Sequence, residues 1–392
     1  MLSRIALTVF ASLFVGVLGF AQVPTFEPQT IDNRVSIGYG LAIGEVDGDG
    51  KPDILLADKT QIVWYRNGDW QRFVMAENLT ARDNVAIAAR DITGDGKVEV
   101  AVGAQWNPGE TSDNQKSGAI FYLIRPDDPT QRWEAVSLPH QPTTHRMKWV
   151  RLADGKYSLV VVPLHGRGNR NGEGAGVRLL AYLKPDNPRD VWQTVLLDES
   201  LNMTHNFDVV PVPGTKSERL VVGGRQGAIT LAPRGGQWTP NSTERVPGIG
   251  VNRGVGEIRQ GRLGSLNFLA TIEPMHGNEL VVYTLRGQPQ RYLLTGGFRE
   301  GHALAVADLL GLGSDQIVAG WRNPDASGKV GIKLFVPLDK TGSRWQSHVI
   351  DDNTMATEDL TVADLDGDQR PDIIAAGRAT KNLIIYWNKS KK

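Results

Sequence analysis

The chain has 392 residues, with 43 basic and 43 acidic side chains and no cysteine. Zero formal charge and the lack of any basic run argue against a nucleic-acid or anionic-membrane partner. Absence of cysteine excludes disulfides, thiol chemistry and a lipid-modified cysteine anchor, and a chain this long buries enough core to fold without them.

The first element, residues 1–21, reads as a cleavable leader. Arg4 supplies the positive start, Ile5 to Phe20 is almost wholly apolar, and Gly19 and Ala21 suit a cut before Gln22. The apolar run is short for a membrane anchor, and no later stretch could span a bilayer. The expected product is secreted, periplasmic or held in the cell envelope, with residues 22–392 as a single domain.

An acidic, glycine-rich loop then recurs between apolar runs. It is Glu45-Val46-Asp47-Gly48-Asp49-Gly50-Lys51-Pro52-Asp53 at its first appearance. It returns as Asp91-Ile92-Thr93-Gly94-Asp95-Gly96-Lys97-Val98-Glu99 and as Asp364-Leu365-Asp366-Gly367-Asp368-Gln369-Arg370-Pro371-Asp372. A worn copy begins at Asp308, with Leu310 and Leu312 where carboxylates would stand. Such recurrence is the mark of a repeat architecture.

A short apolar run follows each loop or its counterpart: Ile54–Ala57, Val100–Gly103, Leu159–Val162, Leu220–Gly223, Leu269–Ile272, Ile317–Gly320 and Ile373–Ala376. These read as strands buried on both faces. A third strand follows each, and the outer strands are marked by Trp70, Trp133, Trp192, Tyr292 and Trp345. The last unit has no outer strand of its own after Trp387. Phe26–Asp32 matches the outer strand Trp345–Asp351, so the N-terminal strand is expected to complete the last blade and close the ring, removing exposed sheet edges.

These residues resemble the FG-GAP, or VCBS, repeat of integrin-type propellers. The resemblance implies a propeller with calcium in its loops, and the seven units, each a run of four strands, make it an all-β, seven-bladed β-propeller of four-stranded blades. The spacing itself suits a hard cation, since carboxylates at positions one, three, five and nine can converge where glycines allow a tight turn. The expected structural calcium ligands are Glu45, Asp47, Asp49 and Asp53; Asp91, Thr93, Asp95 and Glu99; and Asp364, Asp366, Asp368 and Asp372. No metal is expected at the Asp308 copy. A plain hairpin turn is the alternative, because Asp-Gly is also a hairpin signal.

The connections before each first strand and after each second strand share the opposite face, over the central channel, where propellers hold ligands. Five of the seven histidines fall there: His145, His165, His205, His276 and His302. Histidine serves near neutral pH as base or metal ligand. His165 and His205 are the candidate bases, and His145 and His302 the candidate ligands of a further divalent metal. Arg146, Arg167, Arg225 and Arg322 are candidate anion clamps.

The insertion Val162-Pro163-Leu164-His165-Gly166-Arg167-Gly168-Asn169-Arg170-Asn171-Gly172, with His145-Arg146-Met147-Lys148-Trp149, resembles the propeller part of aldos-2-ulose dehydratases. That resemblance implies loss of water from a keto-sugar by β-elimination, and propeller polysaccharide lyases point the same way. The expectation is a carbohydrate lyase or dehydratase binding a carbohydrate or keto-sugar. The rival is a non-catalytic propeller that binds a glycan or a protein partner, as in adhesion. A third reading, a calcium-stiffened structural envelope protein, leaves the polar channel face unexplained.

Overall fold

The repeated apolar runs become second strands that are buried along most of their length, as in Asp53–Ala57 and Asp372–Gly377. The computed structural model describes residues 23–240 and 242–391; the predicted leader lies outside the described residues. Among these residues 28 strands form seven four-stranded antiparallel sheets, with no α-helix and so no helix able to cross a membrane.

The chain enters with β1 (Phe26–Asp32) and then builds the first blade from β2 (Gly40–Gly44), β3 (Asp53–Ala57), β4 (Gln61–Tyr65) and β5 (Arg72–Glu77). The second blade runs from β6 (Ala86–Arg90) through β7 (Glu99–Ala104) to β9 (Glu134–Leu138). The next four run from β10 (Thr144–Arg151) to β13 (Gln193–Asp198), β14 (Thr204–Pro211) to β17 (Glu244–Val246), β18 (Glu257–Leu263) to β21 (Gln290–Thr295) and β22 (Gly301–Ala307) to β25 (Trp345–Asp352). The seventh holds β26 (Thr357–Ala363), β27 (Asp372–Gly377) and β28 (Leu383–Asn388). β1 pairs antiparallel with β28, Phe26 opposite Asn388 and Thr30 opposite Ile384. The N-terminal strand therefore completes the last blade, and each inner strand packs against the next around a closed ring that ends with β26 on β2.

The core lies between blades. Leu55, Ala57 and Trp64 of the first blade pack against Val100 and Val102 of the second. Ile54 and Leu56 turn to the other side and meet Ile374 and Ile385 of the seventh. The period-two alternation of each strand thus serves two neighbouring cores. Polar clasps reinforce the seams. Asn67 donates to Pro52 O and to Leu365 O of the neighbouring blade, and Asn388 does the same to Pro371 O and Leu309 O.

Tyr292 and Trp345 lie in their outer strands as expected, but the other three aromatic markers do not. Trp70, Trp133 and Trp192 precede their outer strands. The Trp133 and Trp192 indoles donate to Pro129 O and Pro188 O, so these residues staple the turn that enters the strand. The tail of β1 repeats the tail of β25. The Tyr65 hydroxyl donates to Asp32 and the Tyr386 hydroxyl to Asp351, at 3.0 and 2.8 Å.

Deleting residues 23–32 leaves β28 as an open sheet edge and exposes the side of the last core. A lower melting temperature and concentration-dependent self-association in analytical ultracentrifugation are expected. A monodisperse protein with an unchanged melting curve would contradict closure by this strand.

Candidate functional site

The acidic turns and the channel mouth occupy opposite faces, because a first strand carries the chain across the ring and a second strand brings it back. In each acidic turn the position-one carboxylate organises the backbone. Glu45 accepts from Gly48 N and Gly50 N, Asp91 from Gly94 N and Gly96 N, and Asp364 from Gly367 N and Gln369 N. Asp308 of the worn copy accepts from Leu312 N and Gly313 N, so this turn forms without the remaining carboxylates.

Oxygens of Glu45, Asp47 and Asp53 converge within 4.8 Å of one another, as do those of Asp364, Asp366 and Asp372. The position-five carboxylates stand apart. Asp49, Asp95 and Asp368 pair instead with Lys51, Arg125 and Arg370. In the second loop Thr93 donates to Glu99, whose other oxygen accepts from Ile92 N. Burial, with like charge from the neighbouring carboxylates, pushes Asp53 up to about 7 and Asp372 up to about 6; burial also raises Glu99.

At the other face the ring gathers histidines from four consecutive blades. His145, His205 and His302 sit at the starts of β10, β14 and β22, and His276 in the loop between Glu273 and Glu279. The first three lie at β-bulges, where the register shifts between Thr144 and Arg146, Thr204 and Phe207, and Gly301 and Ala303. A bulge re-aims a side chain out of the pleat. Here it turns the rings toward the axis. His276 itself has φ 49° and Glu300 φ 53°, left-handed values that non-glycine residues seldom hold.

The rings form one cluster, with Trp106 and His145 face to face and the histidines tilted or edge-on to one another. Trp106 lies 4.9 Å from His145, His145 4.7 Å from His205, and His205 4.4 and 5.0 Å from His276 and His302. The Nε2 atoms of His205 and His276 are 2.7 Å apart, and ring nitrogens of His205, His276 and His302 all lie within 4.8 Å of one another. The far nitrogens of His145 and His302 are held from behind. His145 Nδ1 donates to His205 O and His302 Nδ1 to Glu358 O. Glu257 Oε1 lies 2.9 Å from His205 Nδ1, off the ideal hydrogen-bond direction. A proton held on Nδ1 leaves the Nε2 lone pair free, the usual state of a ligating imidazole. Burial drives His145, His205 and His302 well below the ordinary imidazole range and His276 down to about 2, helped by neighbouring rings and by Arg146 or Arg322.

His165 lies elsewhere. It bridges to Met203 and lines a groove between the insertions at Pro108–Ser112 and Gly168–Asn171, its Nδ1 buried without a partner. Two of the four arginines are committed to loops. Arg167 is exposed and donates to Ser112 O and Asn114 Oδ1, and Arg225 donates to Asn171 O. Arg322 pairs with Glu300 and Glu358 at 2.7 and 2.9 Å. Arg146 is buried in the channel and donates to Tyr39 O and Val85 O. His276 had no motif to single it out in the sequence; its position beside a channel-face turn was the available signal.

Seven four-stranded blades around a channel, with acidic turns on one face, define a β-propeller. Within it, residues 46–102, from the first acidic loop through most of β7, match the family model described as an FG-GAP-like repeat. No curated protein matches this chain. A chain from the crystal structure of BBS1N in complex with ARL6DN superposes with a TM-score of 0.60 at 13% identity, over 95% of this chain and 99% of that one. A chain of the Mitotic Checkpoint Complex gives 0.56 at 12% identity, over 98% of each. Rhamnogalacturonan lyase YesW gives 0.52 at 15% identity, over 93% of this chain and 76% of that one. At these identities the likeness is one of fold.

The four neutral imidazoles make the ring acid-sensitive. Their folded-state affinities for a proton lie below the ordinary value of 6.5, so the stability they contribute is present above that pH and lost as pH falls below it. Asp53 and Asp372 act in the opposite sense without a cation, losing stability as pH rises toward 7 and 6. The histidine share is therefore read by difference. Between pH 7 and 4, His276→Gln should lose less melting temperature than the unaltered protein; parallel loss would contradict the account.

Proposed function

We propose that this propeller is a metal-dependent carbohydrate lyase or dehydratase, with its reacting centre at the channel mouth. The observation that carries the reading is the convergence of ring nitrogens from His205, His276 and His302. Three imidazoles with the remaining positions open suit a divalent metal of the zinc, manganese or iron type. The donor set fits such an ion: the rings are neutral, the Glu358 carbonyl holds the far nitrogen of His302, and Glu257 stands 2.9 Å from that of His205. The sequence pair His145 and His302 is thereby revised, with His145 beside the ligand set rather than within it.

A bound ion would supply positive charge for an enolate oxygen. The chain's own residues do the rest. His145, its Nδ1 proton committed to a carbonyl, offers Nε2 to take the proton from the carbon next to the substrate's carbonyl or carboxylate. The C–H electrons move to the oxygen as the enolate. They return as the β-carbon–oxygen bond breaks, and the departing oxygen takes the proton back from the imidazolium. Trp106, stacked on His145, offers an aromatic face for a sugar ring. A rhamnogalacturonan lyase has a similar fold, which supports the reading. Export of the mature chain through the leader belongs to the same reading.

Calcium in the first and seventh acidic loops, and less tightly in the second, serves as a structural tie. Position-five carboxylates would have to leave their lysine and arginine partners or stay outside the ligand set. Buried Asp53 and Asp372, pushed toward neutrality, would be held ionised by the cation.

Elemental analysis of the purified protein should find calcium plus one transition-metal equivalent. His205→Ala and His302→Ala should lose that equivalent and about 10²-fold or more of elimination activity on keto-sugars and uronates, while keeping a cooperative melt. Excess chelator should lower the melting temperature, and calcium should restore it. Metal content and turnover unchanged in both variants would overturn the catalytic reading. Glycan retention without product would favour a binding module.

A further inference from the structure

Behind the histidines, the channel encloses a cavity of about 230 Å³. Its charged lining is unequal. Arg146, Lys148 and Arg259 face it, with Asp359 as the carboxylate among the lining residues. Asp359 already accepts from Leu41 N and Leu360 N. The nearby carboxylates are also engaged. Glu257 meets Arg259 at 3.3 Å and accepts from Asn206, and Asp208 accepts from Gln260 N and Val209 N. Lys148 lies no closer than 4.0 Å to its nearest carboxylate, Asp208.

Arg146 carries the second observation. Its side chain is more than nine-tenths buried, yet its Nε is among the buried polar atoms that make no hydrogen bond. A buried guanidinium with an unused donor is costly unless something completes it. Lys148 shows the same crowding of positive charge: burial and Arg259 lower it to about 8. An anion in the cavity would relieve both.

We propose that this cavity is the subsite for a substrate carboxylate, held by Arg146, Lys148 and Arg259, so that the channel takes an acidic sugar rather than a neutral keto-sugar. Asn206 and Arg259 lead to His205 through Glu257, which places the subsite next to the histidine cluster. The volume lies below the ~300–1,000 Å³ of ordinary small-molecule pockets, which suits one acidic unit of sugar size rather than a chain. This assignment rests on the proposed chemistry only in naming the substrate. The binding itself does not require a metal.

Galacturonate and galactose differ in the carboxylate and are suitable probes for calorimetry at pH 7. Galacturonate should bind the full chain, and galactose should bind about tenfold more weakly or not at all, the scale of a charge-assisted pair. His302→Ala should keep galacturonate binding, whereas Lys148→Gln and Arg259→Gln should each weaken it about tenfold. Arg146→Gln is a poorer test, because Arg146 also holds two backbone carbonyls. Equal affinity for the two sugars, or full affinity in Lys148→Gln and Arg259→Gln, would overturn the subsite. Binding lost in His302→Ala but kept in Lys148→Gln would move the carboxylate to the metal and overturn it as well. Absence of a transition metal, with galacturonate binding and its Lys148 dependence intact, would remove the metal reading and leave the subsite standing.

Discussion

Pairing of Phe26–Asp32 with Leu383–Asn388 is the constraint on which the rest of the structure depends. Each blade buries its faces against two neighbours, so an open ring would leave two sheet faces in water. Closing it joins residues more than 350 positions apart and gives every inner strand a fixed place around one axis. That placement is what turns scattered histidines into a cluster. His145, His205, His276 and His302 come from four separate blades, yet neighbouring rings lie within about 5 Å of one another.

The two faces of the ring divide the polar residues by their physical task. On one, carboxylates fold back onto backbone amides of their own turns, and Asn67 and Asn388 tie neighbouring blades. On the other, bulges break the strand register and turn side chains inward. The bulges are small departures from regular sheet, and the regular pairing on either side keeps them in place. Buried charge is tolerated there because almost every group has a partner. Arg322 bridges Glu300 and Glu358, Arg378 also meets Glu358, and Glu257 gathers Asn206, Arg259 and His205. Arg146 Nε and His205 Nδ1 are the nitrogens of this network left without a hydrogen bond.

The repeats and their order could be read from the residues because each blade is a local unit with its own signature. Asp-Gly turns and short aliphatic runs report a hairpin without knowledge of its neighbours, and Ile54–Ala57 and Ile373–Ala376 fell where strands form. Closure could be read because Asp32 and Asp351 end matching strands. The site was legible only as a list of residues on one face. Which of them meet depends on the bulges, and a bulge has no sequence mark in Thr144–Arg146 or Gly301–Ala303. His165 shared a face with the others but stands on an insertion that carries it to another groove. Arg259 gave no signal because it lies within β18, outside the channel-face connections from which the candidates were drawn.

A crystal grown with a transition metal, with anomalous diffraction collected above and below that metal's absorption edge, tests the central claim most directly. The account predicts one edge-dependent peak bounded by the Nε2 atoms of His205, His276 and His302 on the channel axis. An empty channel mouth, with His205 and His276 still in direct contact and metal density confined to the acidic loops of the other face, would contradict it.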